Sequence, residues 1–296
     1  MESFRPEERH AALIFDEMAI TPSLQFDNSL GKVVGKPTLS APKATDNANL
    51  IATHGMVYLL RGISTKWKQI VGYDFTANSI DPKELHDRLI QIIEKAHNIG
   101  ITVRPVISDM GPANRSLWKI LNIVAGRHTK IQNSIPHPCL PNDKLFFLAD
   151  PVHVFENVAV ALTKGHTFTL SDSLVQKYDL SSNTISIEPI KTMHEIDKRD
   201  VLKLCPRLTE EVLKPSHFDK MNAKLGVALI NNDVAGGVLY CIAKNTIEQK
   251  HRTTAWFIQV MHRWFQLLTS RYSGLALSLH SEKNYNDNIE FLKSIQ

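Results

Sequence analysis

Apolar runs of strand length alternate with polar stretches in the first half of the chain, and two of these runs end at an aspartate. Ala11–Phe15 is too short and too apolar for a surface helix, so we predict a buried strand that ends at Asp16. Thr102–Ser108 is predicted as a second buried strand, and it ends at Asp109. A carboxylate at the end of a buried strand is expected to emerge at the edge of the sheet.

Two more strands and a helix are predicted between these two runs. Gly55–Gly62 and Lys66–Phe75 have strand patterns, and they form an antiparallel meander with the first strand. Asp81 and Pro82 suit the N-cap and the first position of a helix. Apolar residues then recur at helical spacing and give this helix one apolar face: Leu85, Leu89, Ile92, Ile93 and Ala96.

Further along the chain, helices separate the strands. Asn114–Val124 is predicted as a helix and Gly126–Asp143 as a polar, proline-rich loop. Leu145–Ala149 is a short strand that ends at Asp150, and Pro151–Leu162 is helical. The order β-β-β-α-β-α-β-α predicts a layered α/β domain.

This order of elements is that of the RNase H-like fold, a mixed sheet flanked by helices. The first and fourth strands are neighbours in that fold, which is the arrangement needed to bring Asp16 beside Asp109. Leu24–Phe26 and Lys32–Val34 are predicted to form a small hairpin, and Lys36–Asn49 a flexible loop.

The character of the sequence changes after about Leu170. We predict an RNase H-like domain over residues 8–187 and a mostly helical domain over 188–296. The second domain is predicted to contain helices at Arg199–Leu204, Thr209–Leu213, Asn222–Lys244, Thr253–Tyr272 and Asn286–Ile295.

Composition narrows the function classes only slightly. The 296 residues are 43% hydrophobic and 22% charged, and a formal net charge of +4 is compatible with nucleic acid without indicating it. Cys139, Cys205 and Cys241 are isolated, so neither a zinc site nor a disulfide framework is suggested, and a reducing compartment is expected. We expect no signal peptide and no membrane span.

Asp16 and Asp109 are the first candidates for chemistry. Two carboxylates held close together repel each other unless protons or cations neutralise them, and Mg²⁺ prefers such oxygen ligands. An acidic metal site for phosphoryl transfer is therefore one interpretation, and two turn residues that each end a strand is the other. Glu17 should point to the opposite face of the strand and is not assigned to the metal.

Several motifs, read together, resemble the P-element transposase family, which includes the THAP-type transposases. In the first domain they are Leu13–Met18, Tyr58–Gly62 with Trp67–Gln69, Ser108–Gly111 with Asn114, and Asp150–His153. In the helical domain they are Cys205–Thr209, Met221–Leu225, Thr254–Phe257 and Thr269–Arg271, which resemble the family's GTP-binding insertion domain. The motifs run over nearly the whole chain in the same order as in the family.

The resemblance implies Mg²⁺-dependent DNA strand cleavage and transfer. Asp16 and Asp109 would be the first two carboxylates of a DDE triad that binds two Mg²⁺ ions, with transposon-end DNA as partner, a possible homo-oligomer and a nuclear location. The family's third ligand is a glutamate beyond the insertion domain. We expect this chain to lack that glutamate, the THAP zinc module and the coiled-coil segment. A domesticated, inactive module that binds DNA, nucleotide or protein is therefore the alternative.

The resemblance also implies a GTP site in the helical domain. The residues carried over are Arg207, Asn222, Lys224 and Asn231, and the alternative is a solvated helix face with a capping asparagine. Gln266 stands where family members often carry an aspartate, which would accept both guanine N1–H and N2–H.

Other residues have two open interpretations each. Asn114 either orients Asp109 or caps the helix, and Asp150 is expected to be an N-cap, with His153 as a possible contact to DNA or to the active site. The basic residues Arg61, Lys66 and Lys68 surround Trp67. This cluster either binds the DNA backbone, or Trp67 is a core residue of its strand.

Overall fold

The structure is a computed structural model that describes residues 4–39, 50–77, 79–126, 129–216, 223–270, 272, 274–279 and 282–295. Its contacts divide the chain into two compact units, Met1–Asp150 and Pro151–Gln296. The division therefore falls before the boundary near Glu188 that the sequence suggested. The reason is packing, because Phe155, Ile185 and Ile187 are buried in the core of the second unit.

The first unit is built on a six-stranded mixed sheet in the order β5-β4-β1-β6-β8-β7. β1 is antiparallel to β4 and parallel to β6, β6 is parallel to β8, and β7 is antiparallel to β8. These strands are β1 (His10–Ala19), β4 (His54–Gly62), β5 (Lys68–Thr76), β6 (Thr102–Ser108), β7 (Ser134–His137) and β8 (Leu140–Ala149).

This order confirms the RNase H-like prediction, because the first long strand of the meander lies beside the fourth. Two details differ from the sequence-based expectation. β1 does not end at Asp16 but continues to Ala19, because β4 pairs with it along its whole length. The predicted loop 126–143 contains β7, which pairs with β8 through a hairpin.

Two helices of this unit, α1 (Pro82–Asn98) and α2 (Pro112–Ile120), contribute to the core on the sheet. Asp81 caps α1 as predicted, since its carboxylate accepts a hydrogen bond from the amide of Lys83 at 2.8 Å. The face that α1 buries is the predicted one: Leu85, Leu89, Ile93 and Ala96.

A small hairpin follows β1, as predicted, and consists of β2 (Gln25–Asp27) and β3 (Lys32–Val34). Of the predicted loop 36–49, residues 40–49 lie outside the described part of the chain.

The second unit is mostly helical, with one short two-stranded sheet. Its strands are β9 (Phe168–Thr169) and β10 (Thr184–Ile185). Its helices are α3 (Pro151–Thr163), α4 (Asp172–Lys177), α5 (Glu188–Asp197), α6 (Glu210–Leu213), α7 (Ala223–Leu229), α8 (Asn232–Ala243), α9 (Arg252–Thr269) and α10 (Glu282–Ser294).

The helix predicted at Arg199–Leu204 is not formed. Side chains end α5 and hold the following loop instead: the Asp197 carboxylate accepts hydrogen bonds from the amides of Leu204 at 2.6 Å and Cys205 at 3.2 Å. The Lys203 ammonium donates hydrogen bonds to the carbonyls of Asp197, Lys198 and Asp200, at and just after the end of α5, where no further helical turn follows to supply amide donors.

The single helix predicted over Asn222–Lys244 is divided into α7 and α8 at Asn231. The segment Ala223–Ala243 is apolar and long enough to cross a membrane, and an 18-residue window within it has a mean hydropathy of 1.5. Half of that window is buried inside the protein, as expected for core helices, and the break at Asn231 divides the segment.

Candidate functional site

The pairing of β1 with β6 brings the two predicted aspartates to the same level of the sheet. Leu13 pairs with Val106 and Ile14 with Ile107. Continuing that register by two residues places Asp16 level with Asp109, on neighbouring strands that lie about 5 Å apart. The observed pairing of β1 with β6 is therefore the one that the prediction of neighbouring aspartates requires.

Asp109 follows the last residue of β6 and is held by the first turn of α2. Its Oδ1 accepts a hydrogen bond from the amide of Gly111 at 3.0 Å. The same oxygen accepts a second hydrogen bond from the Asn114 side-chain amide. Gly111 is the N-cap residue of α2, so Asn114 orients Asp109 and does not cap the helix, which settles the alternative in favour of orientation.

Asn114 also contributes an unsatisfied atom next to this carboxylate. The residue is 8% exposed, and its Oδ1 is buried without a hydrogen-bond partner among the described residues. A buried acceptor without a partner costs free energy, and such sites are often ones where a ligand, water or ion binds.

Asp16 is exposed and accepts a hydrogen bond from the following amide, Glu17 N, at 2.8 Å. The Glu17 side chain points to the other face, as predicted, where its Oε1 accepts from the hydroxyl of the fully buried Thr76 at 2.8 Å. Asp16 is therefore available on the side of the sheet away from the core.

The core side near Glu17 contains a buried ion pair. Asp74 Oδ2 lies 2.8 Å from Arg88 Nε, and Asp74 Oδ1 also accepts from the Thr38 hydroxyl at 2.8 Å. Burial of Tyr58, and then the neighbouring Asp74 carboxylate, raise the pKa of that phenol well above its usual range. This network stabilises the sheet and lies on the opposite face from Asp16.

A third aspartate reaches the same level, and the sequence pattern alone had indicated only a helix cap there. Ser108 on β6 pairs with Ala149 on β8, and the amide of Asp150 donates to Ser108 O at 2.8 Å. Asp150 is therefore level with Asp109 on the next strand. Its position could have been foreseen from the two parallel runs that both end at an aspartate.

The oxygen atoms of this site are of the kind that bind a divalent cation such as Mg²⁺. Mg²⁺ binds through hard oxygen atoms, commonly one or two carboxylates, while water or substrate phosphate completes its shell. Asp16, Asp109 and the unsatisfied Asn114 oxygen are such atoms. Within the part of the chain that the structure describes, no group of three or more His, Cys, Asp or Glu residues could hold a metal ion.

In the basic cluster around Trp67, the tryptophan makes structural contacts and the lysines are exposed. Trp67 is partly buried, and its indole Nε1 donates to the carbonyl of Glu8 at 2.9 Å while its ring lies 5.6 Å from that of Phe4. Its contacts therefore favour the structural alternative. Lys66 and Lys68 are exposed beside it.

Three of the four residues predicted for nucleotide binding lie in the described part of the chain, and each has its own setting there. Arg207 is exposed in a turn before α6, Lys224 is exposed on α7, and Asn222 lies outside the described residues. Asn231 joins two helices: its Oδ1 accepts from two amides of α8, and its Nδ2 donates to two carbonyls of α7. These four bonds use the full hydrogen-bonding capacity of its amide.

The second unit has a polar cleft of about 530 Å³ that the sequence pattern did not identify. Gln266 lines it, together with His262, whose pKa is lowered by burial of the imidazole. The remaining lining residues are Asn232, Gln259, Arg263, Leu267, Gly274, Leu275, Asn284, Asp287 and Asn288. The sequence had drawn attention to Gln266, but the residues that line the cleft come from four separate segments of the chain.

Three kinds of comparison with known proteins each give a match. The family model described as TNP-like, RNase H N-terminal domain, matches residues 1–122. The Transposable element P transposase of Drosophila melanogaster is 25% identical over 266 residues, which are 90% of this chain and 31% of that protein. The solved Drosophila P element transposase strand transfer complex matches with a TM-score of 0.76 and 20% identity, over 98% of this chain and 59% of that chain. The chain thus spans about a third of the length of this curated relative.

Proposed function

Because the chain is P element transposase-like over most of its length, with a TNP-like RNase H N-terminal domain, we propose that its first unit is a DNA strand-cleavage and strand-transfer core. The observation that carries this proposal is the level placement of Asp16 and Asp109 on neighbouring strands, with Asn114 fixing the second carboxylate.

In this proposal Asp16 and Asp109 hold Mg²⁺ from two adjacent strands. Bound there, the ions would activate a water or 3′-hydroxyl and stabilise the leaving oxygen of an in-line displacement at phosphorus. The protein's own part is to fix the ligands. Gly111 N and Asn114 hold Asp109 through one oxygen and leave its Oδ2 for a cation, and the exposed Asp16 faces it across the gap between two strands.

Full catalysis needs a complete ligand set in the correct geometry, and two carboxylates are a partial one. The catalytically inactive module, which binds DNA, nucleotide or protein on the same fold, is therefore the second candidate. The observation that favours it is that the described residues offer no three-residue metal cluster.

The second unit is proposed to be the GTP-binding-like insertion domain, with the cleft around Gln266 as the nucleotide site. Its side-chain amides and Arg263 can donate hydrogen bonds to a base or a phosphate. The proposal moves the site away from Asn231, whose amide is fully used between α7 and α8. A nuclear location, transposon-end DNA and a homo-oligomer are further parts of the proposal that follow from the relationship alone.

Nicking of a supercoiled plasmid in the presence of Mn²⁺ separates the two candidates. A strand-cleavage core nicks the plasmid, and Asp16→Asn and Asp109→Asn each abolish nicking while plasmid binding is retained. A protein that binds plasmid without metal-dependent nicking is the inactive module. Nicking that survives in both aspartate variants would contradict the assignment of these carboxylates.

A further inference from the structure

A cavity of about 340 Å³ lies beside α2, close in sequence to the candidate metal ligand Asp109. Its wall is partly apolar, with contributions from Trp118, Ile123 and Val124. Two basic side chains of α2, Arg115 and Lys119, also line it. A volume of this size lies at the lower end of the range for small-molecule sites.

The two cations of this cavity are exposed and stand one helical turn apart. Residues at positions i and i+4 of a helix lie on the same face, so Arg115 and Lys119 present their charges side by side. Over the described ranges, neither side chain has an ion pair or side-chain hydrogen bond with another residue. Two adjacent cations without an acidic partner repel each other, and an anion that bridges them would relieve that repulsion.

The first turn of α2 contributes residues both to this cavity and to the candidate metal site. Arg115 directly follows Asn114, whose side chain holds Asp109, and its own amide donates to the Gly111 carbonyl at 2.9 Å. Met110, the residue after Asp109, lines the cavity. The same first turn of α2 thus fixes the carboxylate and the first of the two cations.

We propose that Arg115 and Lys119 are positioning residues that bind the phosphodiester backbone of a nucleic-acid strand, and that the cavity between them takes one nucleotide of that strand. The inference rests on the proposed function, since the strand held here is the one whose neighbouring phosphate reaches Asp16 and Asp109. Arginine and lysine supply the phosphate contacts, and the apolar wall at Ile123 and Val124 covers the face of a sugar or base.

A free mononucleotide or inorganic phosphate would satisfy the same two cations. The affinity for a strand depends on salt concentration more steeply than the affinity for either of these ligands. The reason is that a strand releases condensed counterions on binding, in proportion to the number of phosphates that the protein neutralises. Binding measured in EDTA also removes any contribution of a divalent cation, so a failure here is distinct from a failure of the metal site.

The experiment measures fluorescence anisotropy of a labelled single-stranded oligonucleotide in EDTA over a series of potassium chloride concentrations. The test variant carries Arg115→Gln and Lys119→Gln, and the matched control carries Lys83→Gln and Lys95→Gln, two exposed lysines of α1. Both double variants remove two positive charges from exposed helix positions. A melting curve for each verifies that the fold is retained.

The proposal predicts that the test variant binds roughly tenfold more weakly, with the control near wild type. The slope of log K against log salt should fall by about 1.4 in the test variant alone, since each phosphate of a single strand that the protein neutralises adds about 0.7 to that slope. Lys119→Arg should retain both affinity and slope. Equal weakening in test and control, an unchanged slope in the test variant, or stronger competition by a mononucleotide than by unlabelled strand would each overturn the proposal.

Discussion

The Asn114 side chain donates a hydrogen bond to Oδ1 of Asp109, while its own amide oxygen is buried without a partner among the described residues. One side chain therefore orients the candidate ligand and leaves an unpaired acceptor beside it. In metal sites, a residue that hydrogen-bonds to a metal ligand sets the orientation and the basicity of that ligand.

Replacing Asn114 by alanine should weaken Mn²⁺ or Mg²⁺ binding roughly ten- to hundredfold, as for other residues that orient a metal ligand. Asp109 would keep only its hydrogen bond from the Gly111 amide. Calorimetric titration of the cation measures the change. The control is Ser116→Ala on the same helix, where the hydroxyl donates a hydrogen bond to the Pro112 carbonyl. Equal cation affinity in Asn114→Ala and wild type would contradict an orienting role.

The buried pair Asp74–Arg88 should contribute far more to stability than the surface pair Asp143–Arg104. The two arginine side chains are similarly exposed, at 35% and 34%, but the aspartates are 4% and 44% exposed. Arg88→Met leaves a buried carboxylate that keeps its hydrogen bond from Thr38 but loses its cation, and we expect the free energy of unfolding to fall by about 2–4 kcal/mol. Arg104→Met should cost less than about 1 kcal/mol.

Urea denaturation measures both of these free energies of unfolding with the same type of substitution. Similar decreases in the two variants would mean that burial of the partner carboxylate does not decide the contribution of the pair.

Asn231 should be a capping residue whose replacement destabilises the second unit. Its amide makes two bonds to the end of α7 and two to the start of α8, so Asn231→Ala leaves backbone groups of both helices unpaired. We expect a cost of about 1–2 kcal/mol. Asn232→Ala, one residue later at the start of α8, is the control and should change stability by less than about 0.5 kcal/mol. Thermal unfolding distinguishes the two, and equal melting temperatures would remove the capping role.

Millimolar GTP should raise the melting temperature of the protein if the cleft around Gln266 binds nucleotide, since a ligand that binds only the folded state stabilises it. Gln266→Asp supplies two acceptors in place of one acceptor and one donor group, so it should increase the preference for GTP over ATP. Thermal shift with each nucleotide measures this preference. An unchanged melting temperature in both proteins would argue against a nucleotide in this cleft.

The fold was accessible from the sequence where short apolar runs end at polar residues. Leu13 and Val106 lie in buried apolar runs that end at Asp16 and Asp109, and these two runs were sufficient to predict that their strands are neighbours in the sheet. The extension of β1 to Ala19 was not predictable, because the residues after Phe15 are exposed and lack an apolar pattern, and their strand conformation depends on pairing with β4. β7 was missed because Pro136 sits inside it, as proline can on the edge strand of a sheet.

In the helical part, side chains decided what periodicity could not. The apolar pattern continues through Asn231, so a single helix was predicted, yet the amide of this residue ends one helix and begins the next. At Arg199–Leu204 the apolar spacing also resembles a helix, but Asp197 and Lys203 bond to the backbone and replace helical hydrogen bonds there. Neither competition is visible without the tertiary structure.

Calorimetric titration of the wild type with Mn²⁺ and Mg²⁺, beside Asp16→Asn, Asp109→Asn and the surface control Asp143→Asn, tests the central claim most directly. The level placement of Asp16 and Asp109 predicts binding in the wild type and in the control, and its loss in each of the two site variants. No binding by the wild type, or equal binding by all four proteins, would contradict a metal site at these strands.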